Sequence, residues 1–453
     1  MSFPEDEQKV FVIGIDGAPY TLMKEYAEAG ILPSIGSILS RGFTLNQMDA
    51  SIPDVSSTSW TSFMTGVNPG EHGIYGFMEL KEGGYKLSFP SFDNVLAPAV
   101  WEILGNTAGG KTSTLFERRG GAINRAVRSI VLNVPQTFPA RPMNGVLTAG
   151  FVCPDFKKGT YPESAYGYLS SIGYMPDIDA AKAADKPEEF FDDAFLALEK
   201  RVEAFEHYLD GPEWGLFIGV ITETDRIHHF FFDAARDPSH RYHERFVSFY
   251  RKMDSAIGRL FERFMSKTNG KGFFMTMSDH GFVPIKKEVY VNAWLRENGL
   301  LSLNTRNDYY EQVEGGSRAF AMDPARIYIN TEKRYPSGSV KESDREKIAA
   351  EIKSGLEAMT DIDGSPVIKR VYENRELYSG LAARKGPDLV CVANDGYDLK
   401  GNLKKNEVFG RSRFMGMHTR HDAHCILPSG ANPSQRLHIE RLADLILDNF
   451  SGL

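Results

Sequence analysis

Val10-Phe11-Val12-Ile13-Gly14-Ile15-Asp16-Gly17 is the stretch that decides the architecture. Its first six residues are apolar and rich in β-branched side chains, far too short a run to span a membrane, and they read as a core strand. The run stops at Asp16 and Gly17, and a helical pattern follows from Tyr20 to Ala29. The order is therefore strand, loop, helix, with a carboxylate at the carboxyl end of the strand. In open parallel sheets that edge binds ligands, because the loops there converge on a crevice.

The same grammar recurs at Trp214 to Thr222 before Asp225, and at Gly272 to Met277 before Asp279. Between them, Pro187 to Tyr208 and His243 to Ser266 alternate charged residues with Phe, Leu and Val at helical spacing. Strands alternating with helices predict an α/β sandwich. From Leu303 to Gly410 the texture changes, with a charged helix near Ser343 to Met359 and short strand candidates at Arg326 to Ile329 and Leu389 to Val392. The expected division is a core over 1–302 and 411–453, with a smaller α+β cap inserted over 303–410. No internal repeat or low-complexity tract is present.

The chain has 453 residues, of which 42% are hydrophobic, so it can bury a large core. A net charge of -8 argues against general nucleic-acid binding, which needs a basic excess to neutralise phosphates. Cys153, Cys391 and Cys425 lack CxxC spacing, which indicates neither a disulfide framework nor a thiolate zinc site and fits a reducing cytoplasm. With no leader or membrane span in the pattern, the expectation is a soluble, unexported protein.

Carboxylates and imidazoles delivered from separate strand ends are the usual material of a two-metal hydrolytic site. Asp225 and His229 are four apart, so on a helix they share one face and can grip one ion, while His228 points elsewhere. A structural role is the alternative for that pair. Asp279 and His280 close a strand just before Gly281, where a bend lets both reach one metal; simple capping by Asp279 is the alternative. His418, His421 and His424 are spaced by three. His418, close after Gly416, is the expected ligand, and His421 and His424 are expected behind the ligands or at the surface, with contact to substrate as the alternative.

Residues 51–66 are rich in hydroxyls, including Ser56, Ser57 and Ser59. Most suffice as helix caps, but a hydroxyl at a helix N-terminus is also placed where backbone N–H groups stabilise an alkoxide or a phosphate. The segment Gly109 to Ser129 carries Arg118, Arg119, Arg125 and Arg128. It reads either as a solvated loop or as a flap bringing cations to an anionic substrate.

Taken in order, these residues resemble the type I phosphodiesterase and nucleotide pyrophosphatase family of the alkaline phosphatase superfamily. The matches are Ile15-Asp16-Gly17-Ala18; Trp60 to Gly66 leading to Asn68-Pro69-Gly70-Glu71-His72-Gly73; Asn133-Val134-Pro135; Asp225-Arg226-Ile227-His228-His229; Ser278 to Phe282; Asn292 to Leu295; Gly386 to Leu389; and Gly416-Met417-His418. The resemblance implies an alkaline phosphatase-like three-layer sandwich. It places the nucleophile four residues before Trp60, at Ser56, with Ser57 the neighbouring alternative. It implies two divalent ions, zinc first with manganese or iron as alternatives. Asp225, His229 and His418 would hold one, and Asp16, Asp279, His280 and the Ser56 oxygen the other. Ser59, Trp60, Arg118, Arg119 and His421 are the expected substrate contacts. Ser59 stands where relatives carry an asparagine, and the Gly109 to Ser129 stretch is long for the family.

The implied reaction is hydrolysis of a small phosphate ester, a phosphodiester or nucleotide pyrophosphate, through a covalent serine intermediate. Phosphomonoester or phosphonate hydrolysis at the same site is the alternative, and a non-catalytic binding protein is a further one. The sulfatase context around a Cys or Ser is missing, and so are the insertion and serine motif of a mutase.

Overall fold

The computed structural model describes residues 8–119, 126–211, 213–431 and 435–450. Val10–Ile15 forms the expected strand, buried along its whole length, at the middle of a nine-stranded sheet. Across the sheet the order is Leu437–His438, Phe43–Asp49, Ala423–Pro428, Phe273–Met277, Val10–Ile15, Leu216–Ile221, Ser129–Val134, Gly145–Ala149 and Thr160–Tyr161. The five strands from Phe273–Met277 to Gly145–Ala149 run parallel. Ala423–Pro428 runs antiparallel to both of its neighbours.

Register decides where the chemistry emerges. Ile15 lies opposite Ile221, and Gly14 opposite Met277, so Asp16, the helix carrying Asp225, and Asp279 all leave the sheet at one edge. Side chains alternate across the strand. Phe11, Ile13 and Ile15 point into a core shared with the helices Tyr20–Glu28, Pro33–Ser40, Pro187–Asp210 and His243–Lys267. The opposite face, at Gly14, receives Trp60 from the helix Ser56–Thr65, and a Cβ on Gly14 would overlap the indole ring. Helices on both faces make the three-layer α/β sandwich.

The chain divides into two compact units. The first comprises residues up to Val67, Ser91–Phe282 and the segment from His418 onward; the second comprises Asn68–Pro90 and Val283–Met417. The second unit is thus wider than the expected 303–410. Lys287–Tyr290 pairs with Tyr397–Lys400 and Phe409–Gly410, and Asn292 bonds the backbone of Ala321 and Gly401, which ties residues before 303 into this unit. The Arg326 guanidinium donates to Met78 O at 2.7 Å and secures the early segment as well. Short-range pattern does not reveal pairings across so many residues. Within the unit, a four-stranded antiparallel sheet runs in the order Ala319–Met322, Arg326–Ile329, Leu389–Ala393, Ile368–Glu373, and the helix Arg345–Glu357 packs on it. Among the described residues, no helix is long and apolar enough to cross a membrane.

Candidate functional site

Each acidic strand end is held by a neighbour rather than left to rotate. Trp60 Nε1 donates to Asp16 Oδ2 at 3.0 Å, Gly17 N donates to Asp279 Oδ1 at 3.0 Å, and Thr224 Oγ1 donates to Asp16 O at 2.6 Å. Gly17 has φ +65°, and a Cβ there would strike Phe282, so the turn that aims its N–H at Asp279 suits glycine alone. Asp225 and His229 lie on the helix Glu223–Phe231, which starts directly after its strand.

Two groups of donor atoms result. Asp225 Oδ1 lies 3.5 Å from His229 Nε2 and 3.2 Å from His418 Nε2, and the two imidazole nitrogens are 3.1 Å apart. A tetrahedral ion with ligands at ~2.0 Å separates its donors by about 3.3 Å, so this triangle matches such an ion closely. In the second group, His280 Nε2 lies 3.2 Å from Asp279 Oδ2, 3.7 Å from Asp16 Oδ1 and 3.2 Å from Ser56 Oγ. The same nitrogen is 3.9 Å from Asp225 Oδ1, which makes His280 the bridge between the groups.

The imidazoles are oriented from behind. His280 Nδ1 lies 3.2 Å from Gly281 O and His418 Nδ1 3.0 Å from Asp54 O. Those carbonyls assign the protons to Nδ1 and turn the Nε2 lone pairs into the site. The three carboxylate oxygens Asp16 Oδ1, Asp225 Oδ1 and Asp279 Oδ2 are buried and make no well-formed hydrogen bond among the described residues. Buried acceptors are nearly always satisfied, so this donor set of carboxylate oxygens and imidazoles fits divalent cations.

Electrostatics agree with the fit. Burial and the nearby charges of Asp279 and Asp225 push Asp16 well above the usual carboxylate range. Burial, reinforced by Asp225, pushes Asp279 up to about 7. For Asp225 burial is outweighed by His229, His418 and Arg226, which hold it well below the usual range. Burial keeps His280 neutral. Asp16, Asp279 and His280 are closed off from solvent, whereas the His229 and His418 side chains are 24% and 18% exposed, so the approach lies on their side.

Ser56 opens the ten-residue helix Ser56–Thr65 and is the hydroxyl set against His280; Ser57 is fully buried. Two of the expected substrate contacts lie inside the fold. Ser59 is fully buried with its hydroxyl 2.8 Å from Ser51 Oγ, and Trp60 is fully buried against Asp16, so both support the site from within. His421 is half-buried, on the turn preceding Ala423–Pro428. His228 is a satisfied core residue, with Nδ1 3.1 Å from Gly17 O and Nε2 2.8 Å from Tyr250 OH. His424 is fully buried, with Nδ1 2.9 Å from Ala18 O.

In the Arg-rich segment, Thr114–Arg119 is helical, but the side chains of Arg118 and Arg119 and the whole of Arg125 lie outside the described residues; Arg128 is exposed. Sequence reasoning missed Asp54, whose carbonyl orients His418, and the pair Arg226–Asp177 beside Asp225. The position of Asp54 two residues before Ser56 was a usable signal; Asp177 offered none.

The sequence profile described as type I phosphodiesterase / nucleotide pyrophosphatase matches residues 10–422. No curated protein matches the chain. Among solved structures, phosphonoacetate hydrolase from Sinorhizobium meliloti 1021 in complex with phosphonoformate is similar at 15% identity and TM-score 0.61, covering 99% of this chain and 97% of the other. Murine ectonucleotide pyrophosphatase/phosphodiesterase 5 in complex with AMP is similar at 13% identity and TM-score 0.53, covering 98% and 95%. The alkaline phosphatase PafA is similar at 14% identity and TM-score 0.55, covering 99% and 97%. These likenesses establish the alkaline phosphatase-like fold.

Proposed function

The chain belongs to the type I phosphodiesterase / nucleotide pyrophosphatase family, and from that premise we propose a two-metal phosphohydrolase that cleaves a phosphodiester or nucleotide pyrophosphate through a covalent intermediate on Ser56. The observation that carries the reading is the place of Ser56 Oγ, 3.2 Å from His280 Nε2 at the junction of the two donor groups.

Asp225, His229 and His418 would hold one ion, and Asp16, Asp279, His280 and Ser56 Oγ the other. Zinc is the proposed native pair, because imidazole with carboxylate suits it; manganese and iron are the alternatives. When bound, two divalent ions depress the pKa of a hydroxyl or water and neutralise charge on the phosphoryl oxygens.

The remaining chemistry belongs to the chain. Ser56 lies at the positive end of its helix, where free backbone N–H groups favour both its alkoxide and an incoming phosphoryl oxygen. Its Oγ, the hydroxyl proton lost to solvent, attacks phosphorus in line; the bond to the leaving alkoxide or phosphate breaks and an alkoxide takes a proton from solvent; water then attacks phosphorus, gives up a proton and releases Ser56 Oγ as the hydroxyl. The neutral His280, with its proton held at Nδ1 by Gly281 O, keeps Nε2 toward the reacting hydroxyl. The partly exposed His229 and His418 side is where the leaving group departs and water enters.

Three free cysteines support a cytoplasmic, reducing location. The test is Ser56→Ala. It should abolish covalent labelling by a phosphoryl substrate and lower turnover by several orders of magnitude, while metal content stays near that of the unaltered protein. Ser57→Ala should keep the label. Full activity in Ser56→Ala overturns the assignment, and a panel of a model diester, a monoester and a phosphonate ester decides the substrate class.

A further inference from the structure

Arg226 adjoins Asp225 in the chain and again in space, with Nη1 3.4 Å from Asp225 Oδ2. Its other edge is paired in fork geometry with Asp177: Nε lies 3.1 Å from Oδ1 and Nη2 2.8 Å from Oδ2. Its flat face rests on the Phe151 ring at 4.0 Å from the centroid. A guanidinium gripped on one edge and one face has little freedom, and no other side chain provides a planar fork and a stacking face together.

The consequence falls on the two oxygens of Asp225. Oδ1 is directed at His418 Nε2 and His229 Nε2, at 3.2 and 3.5 Å, whereas Oδ2 is the oxygen beside Arg226. A carboxylate can hold a cation with one oxygen or with both, and a catalytic zinc site needs a position left for water or substrate. We infer that Arg226 is a positioning residue that restricts Asp225 to single-oxygen coordination and so keeps a position available for the leaving or attacking oxygen. The inference rests on the two-metal reading above. Removing Arg226 frees Oδ2 to turn inward; the ion is then kept, and the reaction slows.

A residue that merely fastened the loop bearing Asp177 to the helix Glu223–Phe231 would change stability alone. The experiment therefore loads the whole protein with Co2+ and compares the visible absorption, Co2+ stoichiometry and hydrolysis of bis(p-nitrophenyl) phosphate in the unaltered protein, Arg226→Gln, Arg226→Lys and Asp177→Asn. The expected result for Arg226→Gln is unchanged Co2+ stoichiometry, weaker visible bands as the coordination number rises, and kcat lower by about 10- to 100-fold with KM unchanged. Arg226→Lys should recover part of both the spectrum and kcat, and Asp177→Asn should shift both in the same direction by less. A folded Arg226→Gln protein with the unaltered spectrum overturns the inference, as does loss of Co2+ binding. If Arg226→Gln does not fold, an unaltered spectrum in Asp177→Asn overturns it. In each case a parent protein that takes up Co2+ and cleaves the diester leaves the two-metal reading standing; a parent protein that binds no Co2+ overturns both.

Discussion

Trp60 reaches across the central strand to hold Asp16: its indole Nε1 lies 3.0 Å from Asp16 Oδ2, in space that Gly14 leaves by having no side chain. A residue of the helix Ser56–Thr65 thereby fixes a carboxylate on the strand Val10–Ile15, and the helix that presents Ser56 is registered against the sheet that presents Asp16. One hydrogen bond couples the candidate nucleophile to a candidate ligand.

Trp60→Phe keeps most of the apolar volume but leaves Asp16 Oδ2, like Asp16 Oδ1, without a donor in a buried site. A buried acceptor deprived of its donor costs roughly 1–3 kcal/mol. Urea unfolding of the metal-free protein should show a loss of that size, and calorimetric titration should show weaker uptake of zinc. An unchanged zinc affinity would mean that Asp16 does not depend on the indole for its aim.

Arg201 and Glu223 form an ion pair closed off from solvent, with Arg201 Nε 3.1 Å from Glu223 Oε1 and Nη1 2.8 Å from Tyr174 OH. Glu223 opens the helix that carries Asp225 and His229. Removing one member strands a buried charge, a loss of about 3–5 kcal/mol, whereas replacing both with apolar residues can be nearly neutral. Glu223→Leu alone should therefore lower the melting temperature much more than the double change Arg201→Met with Glu223→Leu. Equal losses would show that the pair is worth more than its desolvation.

The pH dependence of zinc binding follows from Asp279 and Asp16. Both hold protons in the native metal-free protein at pH values where the unfolded chain has released them, with Asp279 titrating at about 7. Native stability from Asp279 therefore falls as pH rises from the ordinary carboxylate range toward about 7, because over that window the native state binds more protons than the unfolded one. A metal needs the carboxylates ionised, so the upward shift in melting temperature from added zinc should grow between pH 6.5 and 8. Buried His228 and His424, lowered to about 3 and about 4, stay neutral throughout that window. A zinc effect that shrinks over the same range would exclude Asp279 from the metal site.

Much of the site was legible because strand ends are local features. The apolar runs ending at Asp16, Asp225 and Asp279 show in a few residues, and those runs became the neighbouring strands Val10–Ile15, Leu216–Ile221 and Phe273–Met277. The i, i+4 spacing of Asp225 and His229 was likewise readable once a helix was expected there. The buried place of Ser59 was not legible, because its hydroxyl is chemically able to meet a substrate and its capture by Ser51 depends on how the preceding loop folds back. Whether His424 is buried or at the surface was not legible locally, because histidine is usually exposed, whereas its strand lies inside the sheet, between Phe43–Asp49 and Phe273–Met277.

By itself the sequence determined the layered α/β class, the strand-end carboxylates and the family, since periodicity and short motifs are properties of neighbouring residues. Tertiary structure alone decided which histidines face inward, that His280 bridges both donor groups, and that Arg226 is pinned between Asp177 and Phe151 beside one oxygen of Asp225. Apart from the neighbouring pairs Asp225–Arg226 and Asp279–His280, those relations join residues tens to hundreds of positions apart. They are set by sheet register and close packing, which no local pattern encodes.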